Sequence, residues 1–207
     1  MLDSTRLSYD RLAPTYDRRW ARYIDATVRE TIDGLNPKPG EVILDLATGT
    51  GEVGRRLTEK TPDLIIIGVD LSFEMLARGR SKLPEGSSVR LVQSRAERLP
   101  FGDETFDRVL CASGFHHFDH PKDALEEIRR VLKPAGSLTL VDWCDDYLSC
   151  RLCSLYLGAF DPSHNQIYSV AKCQKMLVSS HLQITKSRRF KIDWLWGLMR
   201  FDAFKTS

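Results

Sequence analysis

The chain has 207 residues, with 30 lysines and arginines against 28 aspartates and glutamates, so its formal net charge is only +2. Such an even balance gives no argument for binding to nucleic acid or to an anionic membrane. No apolar run of about 18 residues is present, and the first residues lack the apolar core of a signal peptide. We therefore expect a cytoplasmic protein with a single domain, no membrane span and no nucleic-acid partner. The five cysteines are an odd number, which favours free thiols.

Most of the chain predicts alternating helices and strands. Apolar residues at helical spacing extend from about Ser8 to Leu35, and Pro14 should divide them into two helices. Strands are predicted at Val42–Leu46, Leu64–Val69, Val89–Val92, Arg108–Ala112 and Leu138–Val141. Helices are predicted between them at Gly54–Glu59, Phe73–Leu83 and Pro121–Leu132. This alternation is typical of an α/β fold with a mostly parallel sheet and helices on both faces.

The C-terminal part of the chain changes character. Apolar residues between Leu148 and Tyr156 predict one helix, and Val170–Val178 predicts another. Two further strands, Leu182–Thr185 and roughly Trp194–Phe201, predict a closing hairpin that adds an antiparallel edge to the sheet. The basic run Lys186–Lys191 is interpreted as protection of that edge against pairing with other chains.

A glycine-rich turn between the first strand and the next helix is the most informative motif. The stretch Val42–Gly54 reads Val-Ile-Leu-Asp-Leu-Ala-Thr-Gly-Thr-Gly-Glu-Val-Gly. Gly49 and Gly51 let the backbone approach a ligand closely, and the helix that follows offers free N–H groups. Asp45 would repel the pyrophosphate of a dinucleotide but would attract an ammonium or sulfonium centre. The motif therefore favours S-adenosylmethionine (SAM) over NAD.

Polar residues also follow the second and fourth predicted strands, where ligands bind in parallel α/β sheets. Asp70 could accept hydrogen bonds from the two hydroxyls of a ribose, or it could instead begin the next helix. Ser113, His116 and His117 come after the fourth strand. An imidazole there could remove a proton from a substrate, whereas packing in the interior is the alternative, favoured for His117. Together with His120 these histidines match no standard zinc spacing, so no metal is predicted.

Four blocks of sequence, in order, resemble the class I SAM-dependent methyltransferases. They are Leu44–Gly51, Gly68–Leu76, Ala96–Phe101 with Phe106-Asp107, and His116-His117 leading to Arg130–Pro134. The chain is most similar to the ubiquinone and menaquinone C-methyltransferases of the small-molecule branch. The resemblance implies a Rossmann-like seven-stranded sheet and methyl transfer to a small-molecule acceptor by in-line displacement. It also implies a helical lid over residues 1–40, a SAM-binding core over residues 41–142 and an acceptor-site roof with the hairpin over residues 143–207.

The resemblance also assigns roles to individual residues. His116 is the expected general base, and His117 and Trp143 are expected to contact the acceptor. Ala47 and Arg95 depart from the family pattern, which has a glycine and an acid at these positions. The residues expected to bind SAM are Tyr16, Asp45, Ala47, Gly49, Gly51, Asp70, Leu71, Met75, Arg95, Ala96 and Ser113.

Two other functions stay open on the sequence alone. The departures at Ala47 and Arg95 are compatible with a SAM-binding regulatory protein without turnover. An NAD-type oxidoreductase is the other alternative, and Asp45 argues against it. The acceptor is expected to be apolar or aromatic because aromatic residues occur in the lid and after the fifth strand. These residues are Trp20, Trp143, Tyr147, Tyr156 and Phe160. The Cys150–Cys153 motif allows a thiol-ligand role, although two buried cysteines on a helix are the more usual case.

Overall fold

The computed structural model describes residues 2–160 and 166–206, and within them a seven-stranded sheet has helices on both faces. The helices are α1 (Leu2–Leu12), α2 (Tyr16–Arg19), α3 (Ala21–Ile32), α4 (Glu52–Lys60), α5 (Phe73–Arg80), α6 (Pro121–Val131), α7 (Leu148–Phe160) and α8 (Val170–Ser179). The strands are β1 (Val42–Leu46), β2 (Ile65–Asp70), β3 (Val89–Gln93), β4 (Phe106–Ala112), β5 (Leu132–Trp143), β6 (Leu182–Lys191) and β7 (Gly197–Lys205). None of the helices in these ranges is long and apolar enough to cross a membrane.

The order of the strands in the sheet is β3-β2-β1-β4-β5-β7-β6. Strands β1 to β5 are parallel, whereas β7 lies antiparallel between β5 and β6. The predicted Rossmann-like sheet with a C-terminal antiparallel hairpin is therefore confirmed. The order along the chain reverses beside β1, so the carboxyl ends of β1, β2 and β4 border a crevice.

Alternate residues of the central strands pack on opposite faces of the sheet. Leu44 and Leu46 of β1 belong to a core with helices α6 and α8, whereas Ile43 packs with α3 and α4. Because both faces are covered, the central strands are apolar along nearly their whole length. Asp45 interrupts the apolar run of β1, and it lies buried near the carboxyl end of that strand.

Several elements differ from the predicted boundaries, and the last strand, predicted at roughly Trp194–Phe201, is found at Gly197–Lys205. The N-terminal segment forms three helices, because the chain turns at Pro14 and again at Trp20, whose φ and ψ of −108° and 16° end α2. Strand β5 begins at Leu132, well before the predicted start, because a bulge lets its pairing shift between Leu132 and Ser137. The strand β6 continues through the basic run to Lys191 and forms the edge of the sheet, in agreement with the interpretation of that run.

A close approach between two loops generates a stability prediction. Ala47 has a positive φ of 56°, and a Cβ placed on Gly114 would lie 2.3 Å from the Ala47 Cβ. We expect Gly114→Ala to lower the free energy of unfolding by about 2 kcal/mol because the two methyl groups cannot share this space. The double substitution Ala47→Gly with Gly114→Ala should recover most of that loss, as measured by urea denaturation.

Gly158 on α7 provides the matched control, because a Cβ at that position meets nothing within 4 Å. Gly158→Ala should therefore leave the free energy of unfolding unchanged or slightly raised. A double variant as unstable as Gly114→Ala alone would contradict the steric explanation.

Candidate functional site

A cavity lies between the carboxyl ends of the central strands and the helices α1 to α3. All of the predicted SAM-binding residues except Gly51 line it. Gly51 instead starts α4 with a φ of 75°, a backbone conformation that favours glycine. His117 lines the cavity too, whereas the residues that line it do not include His116 or Trp143. The fold thus places the predicted cofactor residues around one cavity. Of the three residues predicted to act on or contact the acceptor, His117 lines this cavity, whereas His116 and Trp143 do not.

Asp45 is a buried carboxyl group that lines this cavity. Its Oδ2 accepts a hydrogen bond from the Thr48 hydroxyl at 2.5 Å. The pKa of Asp45 is raised to about 7, chiefly by burial and also by the neighbouring Asp70 carboxylate, while hydrogen bonds from the Thr48 hydroxyl and the Gly54 backbone act in the opposite direction. A cation placed in the cavity would therefore favour the ionised carboxylate strongly.

Asp70 holds the turn that carries the glycines. Its two carboxylate oxygens accept hydrogen bonds from the Gly49 N–H at 2.8 Å and the Ser72 N–H at 2.9 Å. Desolvation raises the pKa of Asp70, while these backbone donors lower it. Each carboxylate oxygen has a second lone pair, so Asp70 can still accept hydrogen bonds from a ligand in the cavity. The ribose role and the helix-start role are thus compatible at this residue.

Two carboxylates attach the N-terminal helices to the walls of the cavity. Asp10 of α1 accepts a hydrogen bond from the Ser72 hydroxyl at 2.5 Å. Asp17 of α2 accepts one from the Thr50 hydroxyl at 2.6 Å and forms an ion pair with Lys82 at 3.0 Å. These contacts hold Tyr9 and Tyr16 over the cavity. Desolvation, reinforced by Asp70 and Asp17, raises the pKa of Tyr16 far above its usual range, so its hydroxyl stays protonated as a donor.

The two histidines of the 3₁₀ turn Phe115–His117 have different surroundings. His116 is 4% exposed, and its Nδ1 lies 2.6 Å from an oxygen of the buried Asp142. Its ring also stacks on Trp143, with ring centres 4.9 Å apart. His117 lies one position further along the turn, and its Nε2 is 2.6 Å from the Tyr9 hydroxyl in the cavity. The interior packing expected for His117 is therefore found at His116, and the role of His116 as general base stays a prediction.

The Tyr23 hydroxyl connects Trp143 to the cavity, a link that sequence reasoning missed. The Trp143 indole N–H donates to the Tyr23 oxygen at 2.6 Å, and this oxygen lies 2.7 Å from Ser113 Oγ. Tyr23 and Ser113 both line the cavity. In the sequence Tyr23 belongs to the apolar stripe of a helix, so no local signal distinguished it. Tyr9 had a signal, since Tyr9-Asp10 and Tyr16-Asp17 repeat the same pair in the lid.

Arg95 and Glu97 share the wall after β3. Arg95 is 43% exposed and lies 3.6 Å from a Glu97 carboxylate oxygen. The Glu97 side chain is only 9% exposed, and both residues line the cavity. The wall therefore contains an acid two residues after Arg95, the position where the family pattern has one. Sequence reasoning overlooked it because it compared single positions rather than the whole turn.

The cysteines form no evident ligand set in the described ranges. Cys150 is buried and donates its thiol to the Gly197 carbonyl at 3.2 Å, while Cys153 is partly buried. Burial raises the pKa of both thiols, which keeps them protonated. A search of residues 2–160 and 166–206 finds no cluster of three histidine, cysteine or acidic side chains arranged to hold a metal ion.

The chemistry of the cavity fits SAM. Asp45 offers a buried negative charge to a ligand that carries an ammonium and a sulfonium group. Asp70 offers carboxylate lone pairs at the position suited to a ribose, and Leu71 and Met75 offer an apolar surface beside it. The Tyr16 hydroxyl remains a hydrogen-bond donor suited to a carboxylate. The polarity of each of these groups therefore matches the polarity of one part of SAM.

The raised pKa of Asp45 predicts a pH-dependent stability of the ligand-free protein. Since the folded-state pKa of about 7 exceeds the ordinary value of 3.8, the folded chain binds this proton more tightly than the unfolded chain. The contribution of Asp45 to stability is complete below pH 4. It falls by about 1.4 kcal/mol per pH unit as the pH rises toward 7. Asp45→Asn should remove this dependence and raise the free energy of unfolding by about 4 kcal/mol at pH 8, with no gain near pH 4.

Chemical denaturation at several pH values measures this difference. The matched control is Asp63→Asn at an exposed carboxyl group, which should follow the wild-type profile. An Asp45→Asn variant that is less stable than the wild type at pH 8 would show that the ionised carboxylate is stabilised in the folded protein.

Comparison with known proteins agrees with this geometry. A family model described as a methyltransferase domain matches residues 44–140. The ubiquinone/menaquinone biosynthesis C-methyltransferase UbiE of Geobacter sulfurreducens is 32% identical over 181 residues, which are 84% of this chain and 68% of that protein. A demethylmenaquinone methyltransferase of Thermotoga maritima is 36% identical over 145 residues, which are 65% of this chain and 59% of that protein. The matches therefore span less than two thirds of the Thermotoga relative and slightly more of the Geobacter one.

Solved structures share the fold at lower identity. A chain of the complex between the Haloferax volcanii Trm112 methyltransferase activator and a methyltransferase superposes with a TM-score of 0.86 at 18% identity. That superposition covers 96% of this chain and 98% of the other. A methyltransferase of Bacillus halodurans superposes with a TM-score of 0.76 at 22% identity, covering 88% of this chain and all of the other. The family match, the UbiE relative and the shared fold show that the chain belongs to the class I SAM-dependent methyltransferases.

Proposed function

We propose that this protein transfers the methyl group of SAM to a ring carbon of a small aromatic acceptor of the quinol type. The observation that carries the proposal is the hydrogen-bonded pair of His117 and Tyr9 inside the cavity that contains Asp45 and Asp70. The names of the Geobacter and Thermotoga relatives, which refer to ubiquinone and menaquinone, support this acceptor class.

The protein has to align SAM with the acceptor more than it has to activate SAM. SAM supplies an electrophilic methyl group on a sulfonium centre, which is already a good leaving group. Asp45 would face a cationic part of SAM and Asp70 its ribose, and these two contacts would restrict how the cofactor can lie in the cavity. The helices α1 and α2, attached by Asp10 and Asp17, limit access of water to the methyl group. Glu97 supplies the acceptor for an adenine amino group that Arg95 cannot supply.

Methylation of a ring carbon also requires that a group of the protein take up a proton from the acceptor. A ring carbon that forms a bond to the methyl group loses its hydrogen as a proton, and a phenolic hydroxyl that ionises makes that carbon more nucleophilic. His117 and Tyr9 can take up this proton as a pair. The neutral imidazole accepts one hydrogen bond, and after protonation both ring nitrogens donate, with the Tyr9 oxygen as acceptor. Aromatic side chains around the pair suit a planar acceptor, including Tyr16, whose ring centre is 6.1 Å from that of Tyr9.

Substitution of His117 tests the proposed proton acceptor. With SAM and a soluble demethylated naphthoquinol, His117→Gln should lower kcat about 100-fold, and Tyr9→Phe about tenfold. The Kd for SAM should change less than threefold in both, roughly 0.6 kcal/mol. Methylated product is measured by mass spectrometry, and SAM binding by calorimetry.

The control is His181→Asn, at an exposed histidine immediately before β6, which should leave kcat unchanged. If His116→Asn abolishes turnover in a folded protein while His117→Gln does not, then His116 is the base, as the sequence predicts. SAM binding without methylated product from any quinol would favour the regulatory alternative.

Substitution of Asp70 tests the cofactor site independently of turnover. Asp70→Ala should raise the Kd for SAM by a factor of about 30, because a carboxylate contact to ribose hydroxyls contributes about 2 kcal/mol. Calorimetric titration measures the change, and Asp63→Ala at an exposed position is the control. An unchanged Kd for SAM would remove Asp70 from the site.

A further inference from the structure

Three side chains form a hydrogen-bond chain that ends in the cavity. Trp143, the last residue of β5, donates its indole N–H to the Tyr23 oxygen at 2.6 Å, and that oxygen lies 2.7 Å from Ser113 Oγ. Trp143 is buried, whereas Tyr23 and Ser113 both line the cavity. The hydrogen-bond chain therefore leads from the interior of the protein to the surface of the cavity.

A count of the donor protons shows that this chain is one acceptor short. The indole nitrogen can only donate, and each hydroxyl group has one proton to donate. The Trp143 contact uses the indole proton, and the contact between Tyr23 and Ser113 uses one hydroxyl proton, whichever oxygen donates it. No other hydrogen bond of either hydroxyl group is found within residues 2–160 and 166–206. One hydroxyl proton therefore remains for a ligand that supplies an acceptor atom in the cavity.

The acidity of the two hydroxyl groups indicates which of them holds the remaining proton. A phenol is a stronger donor than an aliphatic alcohol, and the indole N–H that the Tyr23 oxygen accepts polarises its O–H bond further. Burial, reinforced by the negative charge of Asp142, raises the pKa of Tyr23 well above its usual range, so this hydroxyl group keeps its proton. Donation therefore runs from Trp143 to Tyr23 to Ser113, and the Ser113 hydroxyl faces the ligand as a donor.

The backbone at Ser113 is held in an unusual conformation. Its φ of 58° lies in the left-handed region, which residues other than glycine rarely adopt. Its N–H donates to the Val141 carbonyl at 2.7 Å, which ties this residue to the strand that ends at Trp143. Backbone strain of this kind is concentrated at sites where a side chain has to be placed for function. The strain at Ser113 is thus a second observation that its hydroxyl is placed for a ligand.

Packing of aromatic rings fixes the middle of the hydrogen-bond chain. The Tyr23 ring centre lies 5.6 Å from that of Trp196 and 6.1 Å from that of Trp20. The Trp143 ring centre lies 4.5 Å from that of Trp196. Because these rings restrict the position of the Tyr23 hydroxyl, the donor at Ser113 is oriented before a ligand binds.

The position of Ser113 in the sheet favours the acceptor over the cofactor as its ligand. Asp45 and Asp70 lie on β1 and β2, whereas Ser113 and His117 follow β4, which is on the other side of β1 from β2. The Ser113 hydroxyl is thus in the same loop as the imidazole proposed to take up the proton. The role in SAM binding that the sequence predicts for Ser113 is the alternative that the experiment must separate.

We propose that Ser113 donates a hydrogen bond to the phenolate oxygen of the acceptor, with Tyr23 and Trp143 as positioning residues that orient its hydroxyl. This inference rests on the proposed function, because it concerns an oxygen of the same quinol-type acceptor. A donor beside this oxygen favours the ionised acceptor, whose ring carbon is the better nucleophile. The proton of the hydrogen bond stays on Ser113. An arylamine of the same shape presents N–H donors to this donor and is therefore disfavoured.

Binding of a coloured phenol tests the proposal without turnover. The full chain with S-adenosylhomocysteine is titrated with 4-nitro-1-naphthol at about pH 8, where this probe is ionised. Ser113→Ala should raise the Kd for the probe about tenfold, because a hydrogen bond to a charged oxygen is lost. Tyr23→Phe should raise it about threefold, because the Ser113 hydroxyl remains but loses its orientation. The Kd for SAM should change less than threefold in both variants.

The absorption spectrum of the bound probe reports on the hydrogen bond itself. Donation to a phenolate oxygen stabilises charge on that oxygen, so the absorption band of the probe should lie at longer wavelength in Ser113→Ala than in the wild type. A role of Ser113 in folding alone would not move this band. With SAM and the demethylated naphthoquinol, Ser113→Ala should also lower kcat/KM about tenfold, because a smaller fraction of the bound quinol is ionised.

Two matched variants remove a hydroxyl group elsewhere. Tyr168→Phe affects a buried tyrosine that is not among the residues lining the cavity, and Ser179→Ala affects an exposed serine at the end of α8. Both should bind the probe like the wild type, and thermal unfolding should show that all variants are folded. If Ser113→Ala does not fold, then Tyr23→Phe and Trp143→Phe measure the effect of the same hydrogen-bond chain.

The outcomes separate this inference from the proposed function. An unchanged Kd for the probe in folded Ser113→Ala, or no binding of the probe by the wild type, would overturn the donor role. A Kd that rises for SAM and not for the probe would also overturn it and would assign the hydroxyl to the cofactor. If no quinol is methylated but the Kd and the absorption band of the probe change as expected, then the proposed reaction fails and Ser113 remains a phenolate donor.

Discussion

The buried carboxyl group of Asp45 is the constraint on which the site depends. Strand β1 lies between β2 and β4, and pairing of Asp45 with Gly68 and Leu110 fixes the residue inside the sheet. Its side chain cannot reach water, and the Thr48 hydroxyl and Gly54 backbone compensate its charge only in part. The ligand-free fold therefore contains a group whose ionisation opposes folding. If Asp45 faces a cationic part of SAM, as proposed, cofactor binding would offset that cost.

Helices α1 and α2 are attached to the site by polar contacts, whereas α3 packs Val28 and Ile32 into the apolar core. Asp10 and Asp17 hold α1 and α2 against Ser72 and Thr50, which belong to the two turns that surround the cofactor site. The same helices place Tyr9 beside His117.

Local signals explain why much of the fold could be predicted. Short apolar runs precede Asp45 and Asp70, and each is followed by a helical pattern. The strand and the turn after it can therefore be predicted from residues that are close together in the sequence. The three N-terminal helices and the early start of β5 could not be predicted in the same way. Trp20 ends α2 without a proline or glycine signal, and the bulge in β5 is a shift in its pairing with β4, a strand that lies elsewhere in the sequence.

The sequence by itself determined the strand order along the chain, the glycine turn with its acid and the class of cofactor, because each depends on residues close together in the chain. Only the tertiary structure decided which histidine faces the cavity, since a single step along the 3₁₀ turn directs His116 to Asp142 and His117 to Tyr9. Contacts between distant residues depend on packing and register, and neither is encoded in local spacing.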